Sequence, residues 1–354
     1  MLFRSIGWSR RRRAKRGRPR SGRVRCSNRS GAQAPDPSAM LDILANSLIP
    51  VFAGLLVGYV AGVRNVVDNK DLRTLITFVM SFAVPCALFT TIARAPQPLL
   101  WGQSKVALVL GTVYLAIYAL MYFSARTFGK LTAADSAVLS LTLAFPNAAA
   151  IGVPLLPAVY GNSSSVSVVV AIAVGAVTIS PITLAILESN TGDHDHLSVL
   201  ARFRVSLWRA ARRPIVWAPV LAVFVVALDR AVPAYVDKSL AIFGTATAGA
   251  ALFLTGLVVS AQRFRLSWGV GWSVFGKTLL QPALCLGAAR VAGLPLEQTR
   301  YVVLISAIPC GFFGVVFGKS FDATPDVASS SLIASTLVGV FTLAGWIILA
   351  SHLQ

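Results

Sequence analysis

Two short stretches of this chain place ligand-gripping residue types inside otherwise apolar sequence. The first is Phe145-Pro146-Asn147-Ala148-Ala149-Ala150-Ile151-Gly152-Val153-Pro154, and the second is Ser306-Ala307-Ile308-Pro309-Cys310-Gly311-Phe312-Phe313-Gly314. A proline inside a helix removes one amide donor and clashes with the carbonyl four residues back. Pro146 is therefore expected to free the carbonyl of Thr142, Pro154 that of Ala150, and Pro309 that of Ile305. In hydrocarbon an unpaired backbone group costs several kcal/mol, so such breaks survive only where protein or water covers them. Half-helix N-termini at a break present free N–H groups and a partial positive charge, which suits an anion, most simply a carboxylate. Asn147 adds an amide that both donates and accepts. Gly152, Gly311 and Gly314 let a backbone or ligand approach closely. A pair of proline kinks without a ligand is the plainer reading. Proline, asparagine, glycine and a second proline between Pro146 and Pro154 favour a binding site.

Lys277 is the charge placed clearly inside an apolar run, followed by Gln281-Pro282. Intramembrane ionisable residues are costly and default to functional roles. It lies roughly 10 Å from the expected cytoplasmic end of its span, at 1.5 Å per residue, so it could also snorkel to the interface. Both readings stay open. Asp42, Asp135, Glu188 and Asp229 all fall near span ends. A deep carboxylate pair for protons or sodium is therefore not visible, although coupling to either ion stays open. No His-Glu-x-x-His motif or catalytic dyad is present, so a membrane-embedded enzyme is not supported. Cys26, Cys86, Cys285 and Cys310 lack metal or redox spacing. His194 and His196, flanked by Asp193 and Asp195, read as solvated loop rather than a metal site. No cofactor is implied.

The elements that position these residues are expected to be membrane spans. Apolar residues make up 56% of 354 and charged residues 13%. Ten apolar runs approach the roughly 20 residues a span needs: 41–62, 72–93, 105–123, 135–160, 166–188, 215–232, 240–262, 270–293, 300–320 and 327–350. The run 215–232 is short and ends in Asp229-Arg230. The expected fold class is an all-α polytopic membrane protein.

The net charge of +19 is concentrated in residues 1–39, with twelve Arg and Lys against the single Asp36. This tail has too little apolar sequence to fold alone and lacks the apolar stretch of a secretory signal. It reads as a basic disordered arm, a targeting segment, or an untranslated extension preceding a start at Met40. Without it, alternate loops carry thirteen basic residues on one side and six on the other. The positive-inside rule then puts both termini outside a cytoplasmic (inner or plasma) membrane. With it the balance reverses to 18 against 13, which favours Met40 as the start. The charge thus argues for a bilayer partner and not for nucleic acid.

The chain reads as two five-span halves, 40–188 and 215–354, joined by a cytoplasmic linker at 189–214. Ala87-Leu88-Phe89-Thr90-Thr91 recurs as Ala251-Leu252-Phe253-Leu254-Thr255 at an offset of 164, and Pro146 recurs as Pro309 at 163. An odd number of spans per half makes the repeat inverted, the architecture that supports alternating access. Gly54-x3-Gly58-x3-Gly62 is a small-xxx-small pattern, suited to contact within the bundle or to a homodimer.

Beyond these patterns, Phe145 to Leu156 with Tyr160-Gly161, Pro309-Cys310-Gly311 with Lys319, Asp326, Ala328-Ser329 and Ser335-Thr336, and Val84-Pro85-Cys86-Ala87-Leu88-Phe89 together resemble the auxin efflux carrier family over about 40–354. Ala251 to Leu257 and Lys277 with Gln281-Pro282-Ala283-Leu284 look most like its bacterial malonate transporter subgroup. The resemblance implies ten spans with proline-broken crossover helices four and nine. It also implies a scaffold of spans 1, 2, 6 and 7 beside a moving unit of spans 3–5 and 8–10. By the same resemblance Asn147 would contact a substrate carboxylate. Cys310 departs from the hydroxyl or amide side chain more often found after the second crossover proline, which leaves the substrate open. The expected activity is transport of a small organic anion such as malonate. An auxin-like aromatic acid is the alternative substrate, and a channel the alternative class. The expected substrate-binding residues are Pro146, Asn147, Gly152, Pro154, Lys277, Pro309, Cys310 and Gly311.

Overall fold

The computed structural model describes residues 37–68, 71–98, 102–190, 201, 204–205, 208, 212–261, 264–321, 323 and 325–353. Residues 1–36 of the basic tail expected at 1–39, most of the 189–214 linker, and His194 and His196 lie outside the described residues. The elements are α1 (Pro37–Val63), α2 (Arg73–Ala93), α3 (Ser104–Thr127), α4 (Ala133–Ala144), α5 (Ala148–Tyr160), α6 (Asn162–Ser189), α7 (Pro214–Ala227), α8 (Ala234–Ser260), α9 (268–291), α10 (Leu296–Ala307), α11 (Phe313–Ser320) and α12 (Asp326–Ser351). Among the described residues there is no β-strand, only one isolated antiparallel bridge between Pro146 and Cys310. Asp36–Gln354 forms one compact unit.

Helix dominates because long apolar runs can satisfy their backbone only within themselves once water is excluded. Five of the described helices are long and apolar enough to cross a bilayer: α2, α3, α6, α8 and α12. Shorter apolar helices cover Ile49–Val63, Ala133–Ala144, Ala148–Tyr160 and Pro214–Ala227. The run expected at 215–232 is helical only to Ala227, because Asp229 adopts a left-handed φ of 52° and turns the chain. The runs expected at 135–160 and 300–320 are each split in two, at Phe145–Asn147 and at Ile308–Phe312.

Proline need not break a helix here, and three positions show why. Val84-Pro85, Val153-Pro154 and Gln281-Pro282 each follow a five-residue π turn, at Val79–Ala83, Ala148–Gly152 and Gly276–Leu280. In each case the residue before the proline donates five residues back: Val84 to Val79, Val153 to Ala148, Gln281 to Gly276. The wider turn shifts the hydrogen-bond register just before a residue that has no N–H to donate. Pro154 therefore sits within the first turn of the α-helical segment Val153–Tyr160 and does not interrupt it. This corrects the expectation that Pro154 breaks its helix as Pro146 does.

The tightest seam lies between α1 and α8. A Cβ on Gly58 would meet the Phe253 carbonyl oxygen at 2.1 Å, and one on Gly256 would meet that of Leu55 at 2.1 Å. The Gly54-x3-Gly58 face is thus consumed by an internal contact, with Gly54 against Leu252. Close approach at small residues is how helices associate where lipid is as apolar as leucine.

Gly58→Ala is expected to force α1 and α8 apart and to destabilise the protein by about 1–3 kcal/mol. Gly345→Ala, where nothing lies within 4 Å of the new methyl, should melt at or above the parent temperature. Thermal unfolding of the purified proteins in detergent measures both.

Candidate functional site

The site begins with two helices that stop in mid-bundle. Thr132 starts α4, its Oγ1 accepting from Asp135 N–H at 3.1 Å. The helix ends when Phe145 turns extended (φ −95°, ψ 104°) ahead of Pro146, as the residue before a proline tends to do. On the other side, α10 ends as Ile308 turns extended (φ −56°, ψ 137°) ahead of Pro309. The two extended stretches cross and pair. Asn147 N–H donates to the Pro309 carbonyl at 3.0 Å, and Gly311 N–H donates to the Phe145 carbonyl at 2.9 Å.

The carbonyls orphaned by proline find partners there. Thr142, four residues before Pro146, accepts from Gly311 N–H at 3.2 Å across the crossing. Ile305, four before Pro309, accepts from Ile308 N–H at 3.3 Å. Cys310 N–H donates to Ser335 Oγ on α12 at 3.2 Å. Such pairing is what a buried backbone break requires.

Glycine makes the crossing possible. A Cβ on Gly311 would lie 2.5 Å from the Phe145 carbonyl oxygen, and one on Gly314 would lie 2.2 Å from Thr142 Oγ1. Phe145 and Phe313 stack at 4.8 Å, with Phe312 next in the stack at 4.9 Å. Gly152 is packed on by Ile308 and Val168, so in this conformation protein fills the approach its missing side chain allows.

Asn147 occupies the N-cap position of α5 and is 1% exposed. Asparagine there usually caps the helix, yet this side chain makes no cap bond. Its Nδ2 donates instead to Thr255 Oγ1 on α8 at 3.3 Å. The Thr255 hydroxyl hydrogen is itself donated to the Ala251 carbonyl at 2.7 Å. Thr255 can therefore only accept from Asn147, which fixes which end of the amide faces it. Among the described residues no donor reaches Asn147 Oδ1.

Lys277 is fully buried and does not snorkel. Its Nζ donates to Gln281 Oε1 at 2.9 Å and to the Ser306 carbonyl at 3.2 Å. Gln281 Nε2 donates to the Ala144 carbonyl at 3.0 Å. One clasp from α9 thus holds the final turns of both α4 and α10. Those turns carry the partial negative charge of helix C-termini, which a cation complements. Ser306 Oγ donates to Cys285 Sγ at 2.7 Å. Pro146, Asn147, Pro309, Cys310 and Gly311 meet at the crossing, and Lys277 stands behind it. Pro154 lies farther along α5.

Sequence reasoning missed Gln281, Thr255, Ser306 and Ser335 as partners of the crossing. Gln281 carried a usable signal, since it lies four residues from Lys277 and hence on the same helical face. The other three became visible only through tertiary contacts.

Two cavities adjoin this centre. One of about 200 Å³ is lined by Thr90, Thr91, Arg94, Val153, Thr245 and Thr247, between α2, α5, α6 and α8. At its mouth Arg94 forms a bidentate pair with Asp237 at 2.8 Å. The other, of about 80 Å³, is lined by Met80, Ser81, Phe145, Arg213, Phe313 and Phe317. Among the described residues no cluster of His, Cys, Asp and Glu is arranged to hold a metal.

Apolar helices of membrane length around two helices broken inside the core define a polytopic helical membrane protein. The chain matches the model of the membrane transport protein family over residues 43–347, and it belongs to that family, which takes in the auxin efflux carriers. It is 32% identical over 312 residues to the transporter YfdV of Escherichia coli (strain K12), covering 87% of this chain and 98% of that protein. It is 22% identical over 303 residues to the "Putative malonate transporter" of Rhizobium meliloti, covering 84% and 93%. A shorter similarity, 28% over 125 residues, is to auxin efflux carrier component 7 of Arabidopsis thaliana, covering 34% of this chain and 20% of that protein.

Lys277→Met should leave the Ser306 carbonyl and Gln281 Oε1 short of a donor and destabilise the fold by about 1–3 kcal/mol. The double variant Lys277→Met, Gln281→Leu should cost less than the sum of the two single changes, because the pair acts as one clasp. Melting temperatures of the three variants check this.

Proposed function

We propose that this protein is a secondary carrier that moves a small organic anion, malonate or a related carboxylate, across the cytoplasmic membrane by alternating access. The observation that carries the reading is Asn147: buried at a half-helix N-terminus, paired backbone-to-backbone with a second broken helix, and withheld from capping its own helix. Broken helices at a repeat interface are the usual place for a transporter's substrate. Malonate is favoured by the similarity to the Rhizobium protein and by the motifs around Ala251 and Lys277.

In this reading the ten spans are α1, α2, α3, α4 with α5, α6, α7, α8, α9, α10 with α11, and α12. The first five and last five form inverted repeats over 40–188 and 215–354, and both termini face outward. α1, α2, α7 and α8 would form the scaffold, and the remaining helices the moving unit. Both cavities support that division, because each has walls from both groups. The Asn147–Thr255 bond joins the groups as well. Motion of one against the other would expose the crossing to each side in turn.

Purified protein in liposomes should take up labelled malonate, and unlabelled dicarboxylates should compete. Asn147→Ala should cut uptake by tenfold or more while the protein still purifies as a folded species with a near-parental melting temperature. Full uptake by Asn147→Ala would remove this residue from the site. Competition by indole or aromatic acids, with none by dicarboxylates, would favour the auxin-like alternative.

A further inference from the structure

Asn147 presents an unusual combination for a residue expected to meet a carboxylate. Thr255 fixes the amide with one Nδ2 hydrogen, and Oδ1 is left buried with no protein donor. Oδ1 can only accept. A carboxylate brought against it has no hydrogen to give, and two buried acceptors facing each other would be unfavourable. A carboxylic acid fits the same group. Its O–H donates to Oδ1, while its carbonyl oxygen accepts the second Nδ2 hydrogen.

The ionisable groups around the crossing bear on which proton would be involved. On the elements packed about it the acidic residues lie toward helix ends: Asp42 on α1, Asp135 on α4, Glu188 on α6, Asp237 on α8, Glu297 on α10 and Asp326 on α12. On α8, Asp237 and its neighbour Lys238 are 17 or more residues from Thr255, roughly 25 Å at 1.5 Å per residue. Arg300 and Tyr301 share the first turns of α10, Tyr160 ends α5, Tyr59 lies on α1 and His352 follows α12. The titratable side chains buried near the crossing are Lys277, Cys285, Cys310 and Tyr114. None of these is a carboxylate able to carry a proton for the substrate.

Resting on the anion-carrier reading, we infer that the substrate binds Asn147 through a protonated carboxyl, so that the co-transported proton travels on the substrate itself. A dicarboxylate would then cross as its monoanion. One carboxyl, protonated from water on the side of uptake, is held by Asn147. The other stays ionised beside the half-helix end and the Lys277 clasp. On release into a more alkaline compartment the first carboxyl returns its proton to water. The protein then needs no acidic coupling residue of its own.

The experiment uses the full-length protein in liposomes and compares malonate with fluoromalonate, whose fluorine makes it the stronger acid. Initial uptake rates are taken across a pH series. KM in total acid should rise about tenfold per pH unit above the point where the second carboxyl ionises, and the onset should come at lower pH for fluoromalonate. A shared onset for the two acids would assign the titration to a protein group and overturn the inference, as would a KM that does not change with pH. In either case the carrier reading stands. If neither acid enters at any pH, the carrier reading falls and takes the inference with it. Thr255→Val gives a local readout: the released amide can turn both Nδ2 hydrogens to a carboxylate, so the rise of KM with pH should flatten. A merely structural role for Thr255 would lower activity equally at all pH values. If that variant does not fold, the comparison of the two acids on the parent protein decides the matter alone.

Discussion

Everything at the centre of this molecule depends on a short antiparallel exchange of backbone hydrogen bonds between two segments of opposite sense. Pro146 and Pro309 end their helices where no water is at hand, and the groups they release must be met by protein. The two breaks bond to each other through Asn147 N–H to Pro309 and Gly311 N–H to Phe145 and Thr142, while Ile308 N–H meets Ile305 within its own segment. The glycines at 311 and 314 bring the backbones close enough, and the Phe145–Phe313–Phe312 stack seals the surroundings.

The Lys277–Gln281 clasp extends the same logic to the helix ends. A buried ammonium is costly unless hydrogen-bonded and electrostatically compensated. Here the compensation comes from two helix C-termini in place of a carboxylate. Among the described residues no carboxylate pairs with Lys277.

Much of this was legible from the sequence because proline and glycine have narrow physical meanings. Pro146 and Pro309 could be read as breaks, since the residue type alone removes a donor. The chain's membership in a membrane transport family was likewise readable from the motifs around them. Pro154 was misread for an instructive reason: a π turn upstream absorbed its missing donor, and turn width depends on packing rather than on local sequence. Lys277 could be recognised as important but not placed, because the carbonyls its clasp grips, Ser306 directly and Ala144 through Gln281, are distant in sequence. The partner of the Gly54-Gly58 face was similarly hidden until α8 was seen lying against it.

That seam between α1 and α8 has a mechanical consequence. Where side chains form an interface, rotamer changes let two helices slide or tilt with little resistance. At Gly58 and Gly256 the facing atoms are main chain, with no torsion that can yield. A side chain added at either glycine would have to push main chain apart. Thr255, which accepts from Asn147, is one residue from Gly256, so the crossing and the seam are neighbours on α8. Close approach at this seam is secured by the residues that have no side chain.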